Sequence, residues 1–166
     1  MYAHSLTGKG PALYEEIVHI PLIIRGLGQG VDTNPVSHIN LAPTIFDIFG
    51  VPIPKMFEGR SIWQEVLNPQ ARCNDYVFME FGRYEVDHDG FGGYQPLRGV
   101  YDGRYKMVLN LMTSDELYDL EKDPQEMVNL IEKPEYEEVK KRLHQAILDN
   151  MYETLSLIHI SEPTRH

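Results

Sequence analysis

The spacing of apolar and polar positions changes several times along the chain, and each change predicts an element. Residues 19–24, His-Ile-Pro-Leu-Ile-Ile, form a short apolar run closed by Arg25 and Gly26. That is the pattern of a strand buried on both faces in a helix-covered parallel sheet. From Leu41 the period becomes helical, with Leu41, Ile45, Ile48 and Phe49 on one stripe. Asn40 suits the N-cap and Gly50 the stop, while Pro43 falls in the first turn, where a missing N–H costs nothing. A turn at Glu58-Gly59-Arg60-Ser61 leads into a short helix from Ile62 to Leu67.

Beyond the polar, Pro-containing stretch 68–75 the period becomes that of strands. Residues 76–81 read as one strand, and residues 98–111 as a hairpin turning at Asp102-Gly103, a pair that readily takes positive φ. Within it Tyr105, Met107, Leu109 and Leu111 alternate toward a core. Residues 116–120 form another short strand. Asp123-Pro124-Gln125-Glu126 has the spacing of a helix-capping box. Tyr136, Val139, Leu143, Ile147 and Met151 then line one side of a final helix. These elements predict a small antiparallel sheet with a C-terminal helix packed on it, an α+β unit following an α/β body.

Composition narrows the partners. With 42% hydrophobic and 10% aromatic residues, the chain is that of a folded soluble protein. A formal net charge of −10 excludes nucleic acid, whose binding rests on clustered Lys and Arg, but leaves room for an anionic substrate at a locally positive site. No apolar run approaches the roughly 20 residues that span a bilayer, so no membrane partner is expected. The lone Cys73 excludes an internal disulfide and a multi-cysteine zinc cluster. The Gly-rich stretch 26–30 would cradle phosphate only ahead of a helix, and Asp32-Thr33-Asn34-Pro35 is turn chemistry instead. The compartment stays open among the bacterial cytoplasm, the periplasm and the exterior.

Two stretches carry candidate chemistry. Lys9 sits in Gly8-Lys9-Gly10-Pro11, where flanking glycines let an ammonium approach an anion closely, and His4 precedes it by five residues. An imidazole near its ordinary pKa can protonate a departing alkoxide. The loop 83–98 gathers Glu85, Asp87, His88, Asp89, Phe91 and Tyr94 between glycines, the carboxylates, imidazole and aromatic faces that suit sugar hydroxyls and rings. Arg98 can pair with a substrate carboxylate or sulfate, or bridge an internal acid. Adjacent side chains such as Asp87, His88 and Asp89 rarely converge on one metal ion, so no metal site is read there.

His-x-x-x-x-Lys-Gly-Pro at residues 4–11, Tyr14-Glu15-Glu16 and the apolar run with Pro21 together resemble the late active-site segment of the type I, formylglycine-dependent sulfatases of the alkaline-phosphatase-like superfamily. Ser37-His38-Ile39-Asn40-Leu41-Ala42-Pro43-Thr44 resembles the family's Asp-Leu-x-Pro-Thr segment, with Asn40 where Asp is usual. Arg104-Tyr105-Lys106, then residues 116–126 and Asn129-Leu130, resemble the C-terminal subdomain. The resemblance spans nearly all of residues 4–153. It implies that residues 1–68 are the C-terminal end of an alkaline-phosphatase-like α/β catalytic domain, and residues 69–154 the sulfatase C-terminal α+β subdomain. Residues 155–166 read as a non-native tail, like a translated sequencing adapter, and Met1 as an internal methionine of a longer enzyme.

By the same resemblance Lys9 contacts the sulfate group, His4 borders its pocket, and His88, Arg98, Asp87 and Tyr94 are the candidates for binding a sulfated small molecule or carbohydrate. A glycosaminoglycan sugar is the expected class. The family's nucleophile is formylglycine, made in a Cys/Ser-x-Pro/Ala-x-Arg motif, and its Lewis acid is calcium. Cys73-Asn74-Asp75 is not that motif, and the one serine with its spacing, in Ser161-Glu162-Pro163-Thr164-Arg165, falls in the tail 155–166 that reads as non-native. The calcium ligands of the family lie upstream of the matching segment. The polypeptide alone is therefore expected to be inactive. Two rivals remain: part of a phosphodiesterase or phosphonate hydrolase of the same superfamily, and a non-catalytic sugar-binding module.

Overall fold

The computed structural model describes residue 4 and residues 11–26, 30–68, 70–83 and 94–154, the side chains of Arg83 and Tyr94 excepted. It divides into two compact units: Met1–His19 with Phe78–His166, and Ile20–Val77.

The first unit is built on a four-stranded sheet, β1 (Val77–Arg83), β2 (Tyr94–Tyr101), β3 (Tyr105–Asn110) and β4 (Glu116–Asp119), in that spatial order. β2 pairs antiparallel with β3, and β3 with β4, so the sheet is a meander. The β2–β3 turn falls where the sequence predicts it, with Gly103 at φ +98°. Asp102 Oδ1 accepts the N–H groups of Arg104 and Tyr105, at 2.8 and 2.6 Å.

One face of the sheet is covered by the C-terminal helix, Glu137–Glu153, which lies against β2 and β3. That helix buries Leu143, Ala146, Ile147 and Met151, as its apolar spacing predicts. Arg142 ties it to the β2–β3 turn through Asp102 Oδ2, at 2.6 Å. The other face is covered by the chain's own N-terminal segment. Helix α1 (Glu15–Val18) and the two residues ahead of it bring Leu13 and Val18 onto Leu97, Val108, Met79 and Phe81. Gly99 makes this approach possible, because a Cβ there would sit 2.7 Å from Leu13 Cδ1. With both faces covered, β3 buries Lys106, Met107 and Val108 in succession, and simple alternation fails. The predicted core position Leu111 is exposed, because β3 ends at Asn110, whose Oδ1 turns back to the Met112 and Thr113 N–H groups. β2 also starts at Tyr94, so the far end of the predicted 83–98 loop is strand.

The second unit holds helix α2 (Leu41–Ile48) and helix α3 (Trp63–Leu67), so the C-terminal helix is α4. Ser37 N–H donates to Asn40 Oδ1 at 2.8 Å, and Asn40 Nδ2 donates to the Arg60 carbonyl at 2.9 Å. The Asn40 side chain thus ties two loops together instead of capping α2. The strand predicted over residues 19–24 does not form; the run lies outside regular structure, with Ile23 88% exposed. A strand needs partners for its backbone groups, and among the described residues the sheet is that of the first unit.

Candidate functional site

Lys9 lies outside the described residues, but the chain on either side of it is placed. His4, at φ +55°, stacks its ring on Tyr14 with centroids 3.7 Å apart and planes within 6°. The stacked pair therefore holds His4 against the residue just ahead of α1. His4 Nε2 donates to the Gln125 carbonyl at 2.8 Å, since a carbonyl only accepts. That fixes the proton on Nε2 in the neutral ring and leaves Nδ1 as the second nitrogen.

Beside this pair lies a buried ionic cluster. Lys106 on β3 has only 1% of its side chain exposed, and its Nζ lies 2.8 Å from Glu15 Oε1 and 2.5 Å from Glu126 Oε1. Glu126 Oε2 accepts the Glu15 N–H at 2.7 Å. An ammonium taken from water must be paired and hydrogen-bonded, and here it meets one carboxylate from α1 and one from the turn after β4. This corrects the reading of residues 123–126 as a helix-capping box. No helix starts there, Glu126 takes φ +54°, and its carboxylate is committed to Lys106. Burial pushes the Glu126 carboxyl up, with the Lys106 ammonium pulling the other way.

Two tyrosines and a third acid continue the cluster. Tyr118 OH donates to Glu116 Oε2 at 3.1 Å, and its ring lies 6.3 Å from that of Tyr14. Burial, with the Glu116 charge second, raises the hydroxyl pKa of both Tyr118 and Tyr14. Burial likewise raises Glu116. Both phenols are held as neutral hydrogen-bonding groups. With Glu15, Glu116 and Glu126 near a single Lys106, the cluster anchors α1 to the sheet and does not itself attract an anion.

His4, Glu16 and Glu126 bring ligand atoms within 4.8 Å of one another. Calcium takes six to eight oxygen ligands, whereas this group offers a ring nitrogen, the exposed Glu16 carboxylate and a Glu126 carboxylate already paired with an ammonium. It does not fit calcium.

The other candidates lie elsewhere. Asp87 and His88 are outside the described residues, and Tyr94 is placed only as backbone at the start of β2. Arg98 Nε lies 3.2 Å from Glu80 Oε1 on β1, and Arg98 Nη1 donates to the Leu97 carbonyl. Strand alternation puts Arg98 on the opposite face of the sheet from Gly99 and Leu13, hence from the His4–Tyr14 pair. In the second unit Cys73 N–H donates to Glu65 Oε2 at 2.9 Å, and burial, with Glu65 second, raises the thiol, so Cys73 is not an activated nucleophile. Lys106 and Glu126 were absent from the sequence candidates. Their signal was a lysine inside the apolar run 105–109, which demands a buried acid once both sheet faces are covered.

Comparison with known proteins bears on this geometry. The family described as N-sulphoglucosamine sulphohydrolase, C-terminal, matches residues 8–153. The uncharacterized sulfatase YidJ of Escherichia coli (strain K12) is 46% identical over 154 residues, covering 91% of this chain and 30% of that protein. A Delta 4,5-hexuronate-2-O-sulfatase of Bacteroides thetaiotaomicron is 31% identical, over 90% of this chain and 32% of that protein. The crystal structure of a Bacteroides thetaiotaomicron protein assigned to the sulfatases superposes with a TM-score of 0.71 at 28% identity, over 93% of this chain and 34% of that one. The chain thus spans about a third of the length of the relatives it matches.

Proposed function

Since the chain belongs to the sulfatase family and corresponds to its C-terminal domain, we propose that it is the C-terminal part of an enzyme that hydrolyses sulfate esters of carbohydrates, with the Lys9 ammonium on a sulfuryl oxygen. The observation that carries this reading is the family match running through Lys9, supported by the ionic cluster that fixes α1 just after it in the chain. A fixed ammonium stabilises negative charge as it grows on the sulfate in the transition state, and its value depends on being held in place beforehand. His4 stands at the other end of the same segment. With Nε2–H committed to Gln125, it would donate a proton to the leaving oxygen from Nδ1, and only as the imidazolium.

In this reading the 166-residue chain alone is inactive. Sulfate-ester cleavage in the family takes a formylglycine nucleophile and the Lewis acidity of calcium. Residues 1–154 hold no formylglycine motif, and the one cysteine is an unactivated thiol. The sugar class rests on a relative that acts on a sulfated hexuronate and on the carboxylate-, histidine- and aromatic-rich composition of residues 84–94.

The test is a chimera joining the stretch of the Escherichia coli relative that has no counterpart here to this chain, assayed on a sulfated unsaturated hexuronate disaccharide and on 4-nitrophenyl sulfate. We expect turnover of the sugar, none by the chain alone, and a fall of about 100-fold or more in kcat for Lys9→Ala, the scale for losing one transition-state donor. Turnover confined to the aryl sulfate, or to a phosphate or phosphonate ester, refutes the substrate. An unchanged Lys9→Ala refutes the role of Lys9. Binding of sulfated oligosaccharide by a chimera with no turnover on any ester would instead establish a binding module.

A further inference from the structure

Between His4 and Glu15 the sequence holds one lysine, Lys9, and the two residues that bound this stretch meet neighbouring residues of one turn, 123–126. His4 Nε2 donates to the Gln125 carbonyl at 2.8 Å, and the Glu15 N–H donates to Glu126 Oε2 at 2.7 Å. The turn is fixed from its own side, since the Glu126 N–H donates to the Asp123 carbonyl at 3.0 Å and the Val128 N–H to Asp123 Oδ2 at 2.8 Å. Glu126 holds φ +54°, a left-handed conformation that few residues with a Cβ adopt, and one that persists only where surrounding contacts impose it. Lys106 Nζ takes its other oxygen. Covering the sheet does not call for this grip, because Leu13 and Val18 already supply the apolar contact. What the turn adds is a polar hold on both ends of the stretch that contains Lys9.

We infer that Glu126 is a positioning residue for Lys9, acting through the turn that fixes both ends of its stretch. This rests on the role proposed above for Lys9. Tethering two ends removes conformations that a stretch held at one end would keep, so less order has to be imposed when the ester binds. A fixed ammonium stabilises growing charge only where it already stands in place, and a misplacement of about 1 Å lowers the rate about 100-fold. The hold matters in the transition state, so its loss lowers kcat and kcat/KM alike and leaves KM where it was.

The test combines kinetics on the chimera with proteolysis of the 166-residue chain. Glu126→Gln keeps the size of the side chain and removes its charge. In the chimera we expect kcat per folded enzyme to fall about tenfold or more at unchanged KM. In a Lys9→Ala background the same substitution should change kcat by less than about twofold, because a residue that acts through Lys9 has nothing left to act on. Leu143→Ala, which loosens the same unit from its other face, should leave kcat unchanged. Where Glu126→Gln does not fold, Lys106→Met/Glu126→Gln removes both buried charges and carries the same expectation. In the chain itself, a lysine-specific protease should cut after Lys9 at least about threefold faster in the folded variant, with cleavage after the exposed Lys55 and within α4 unchanged. A folded variant with parental kcat, an equal loss with and without Lys9, an equal loss in Leu143→Ala, or unchanged cleavage after Lys9 would each overturn the inference. A parental kcat in Lys9→Ala refutes the role of Lys9 and the inference with it. A large Lys9→Ala loss beside an additive Glu126→Gln loss refutes the inference alone.

Discussion

The two units treat the same kind of apolar pattern in opposite ways. In the unit built from Met1–His19 and Phe78–His166, the sheet is covered by α4 on one face and by the N-terminal segment on the other, and even a lysine is sealed inside. In the unit Ile20–Val77, the clearest amphipathic helix shows its stripe to solvent and buries a threonine. Periodicity states that a face is to be buried; it does not state against what. The first unit's N-terminal segment has its partners 61 (Val18 to Met79) to 95 (Leu13 to Val108) residues away in the same chain. The second has none among the described residues.

The comparison can be broken most sharply at Lys106. Lys106→Met should destabilise the chain by about 3–5 kcal/mol in urea unfolding, because Glu15 and Glu126 are left as buried or half-buried carboxylates without an ammonium. Lys106→Met/Glu126→Gln should recover part of the loss. A Lys106→Met variant as stable as the parent would show that the cluster is not holding the N-terminal segment on the sheet. Leu143→Ala, at a site with 0% exposure, should cost about 2–5 kcal/mol by the same measurement.

A smaller effect should appear with pH. Arg104 grips Asp119 through two bonds of 3.0 and 2.8 Å, and this pairing holds the buried Asp119 carboxyl below the usual aspartate range. A depressed folded-state pKa contributes stability that is complete above the unfolded value, about 3.9, and is lost as pH falls through the folded value. The urea midpoint should therefore drop below about pH 4, and Asp119→Asn should flatten that drop. The smallest effect belongs to the second unit: Ile45→Ala should change stability by less than about 0.5 kcal/mol, as at an exposed position. A cost like that of Leu143→Ala would mean that α2 is already covered and would erase the contrast between the units.

The sheet and its helix were legible residue by residue. Alternation around Met107, the Asp102-Gly103 turn and the stripe Leu143, Ile147 and Met151 each place an element where it forms. Of the candidate site, the sequence named the Lys9 segment and His4 but not the cluster that anchors them. Lys106 read as one member of a family string, and Glu126 read as a cap, because a capping box and a buried ion pair call for the same residue types.

By itself the sequence determined the family, the strand order of the hairpin and the faces of α4, because these follow from local spacing and from motifs that survive without a fold. Tertiary structure alone decided that β3 is covered twice, that His4 and Tyr14 close on each other across ten residues, and that Lys106 draws Glu15 and Glu126 together over 91 and 20 positions. Such pairings depend on which surfaces meet, and a buried charge chooses its partner only after the faces around it have been shut off from water.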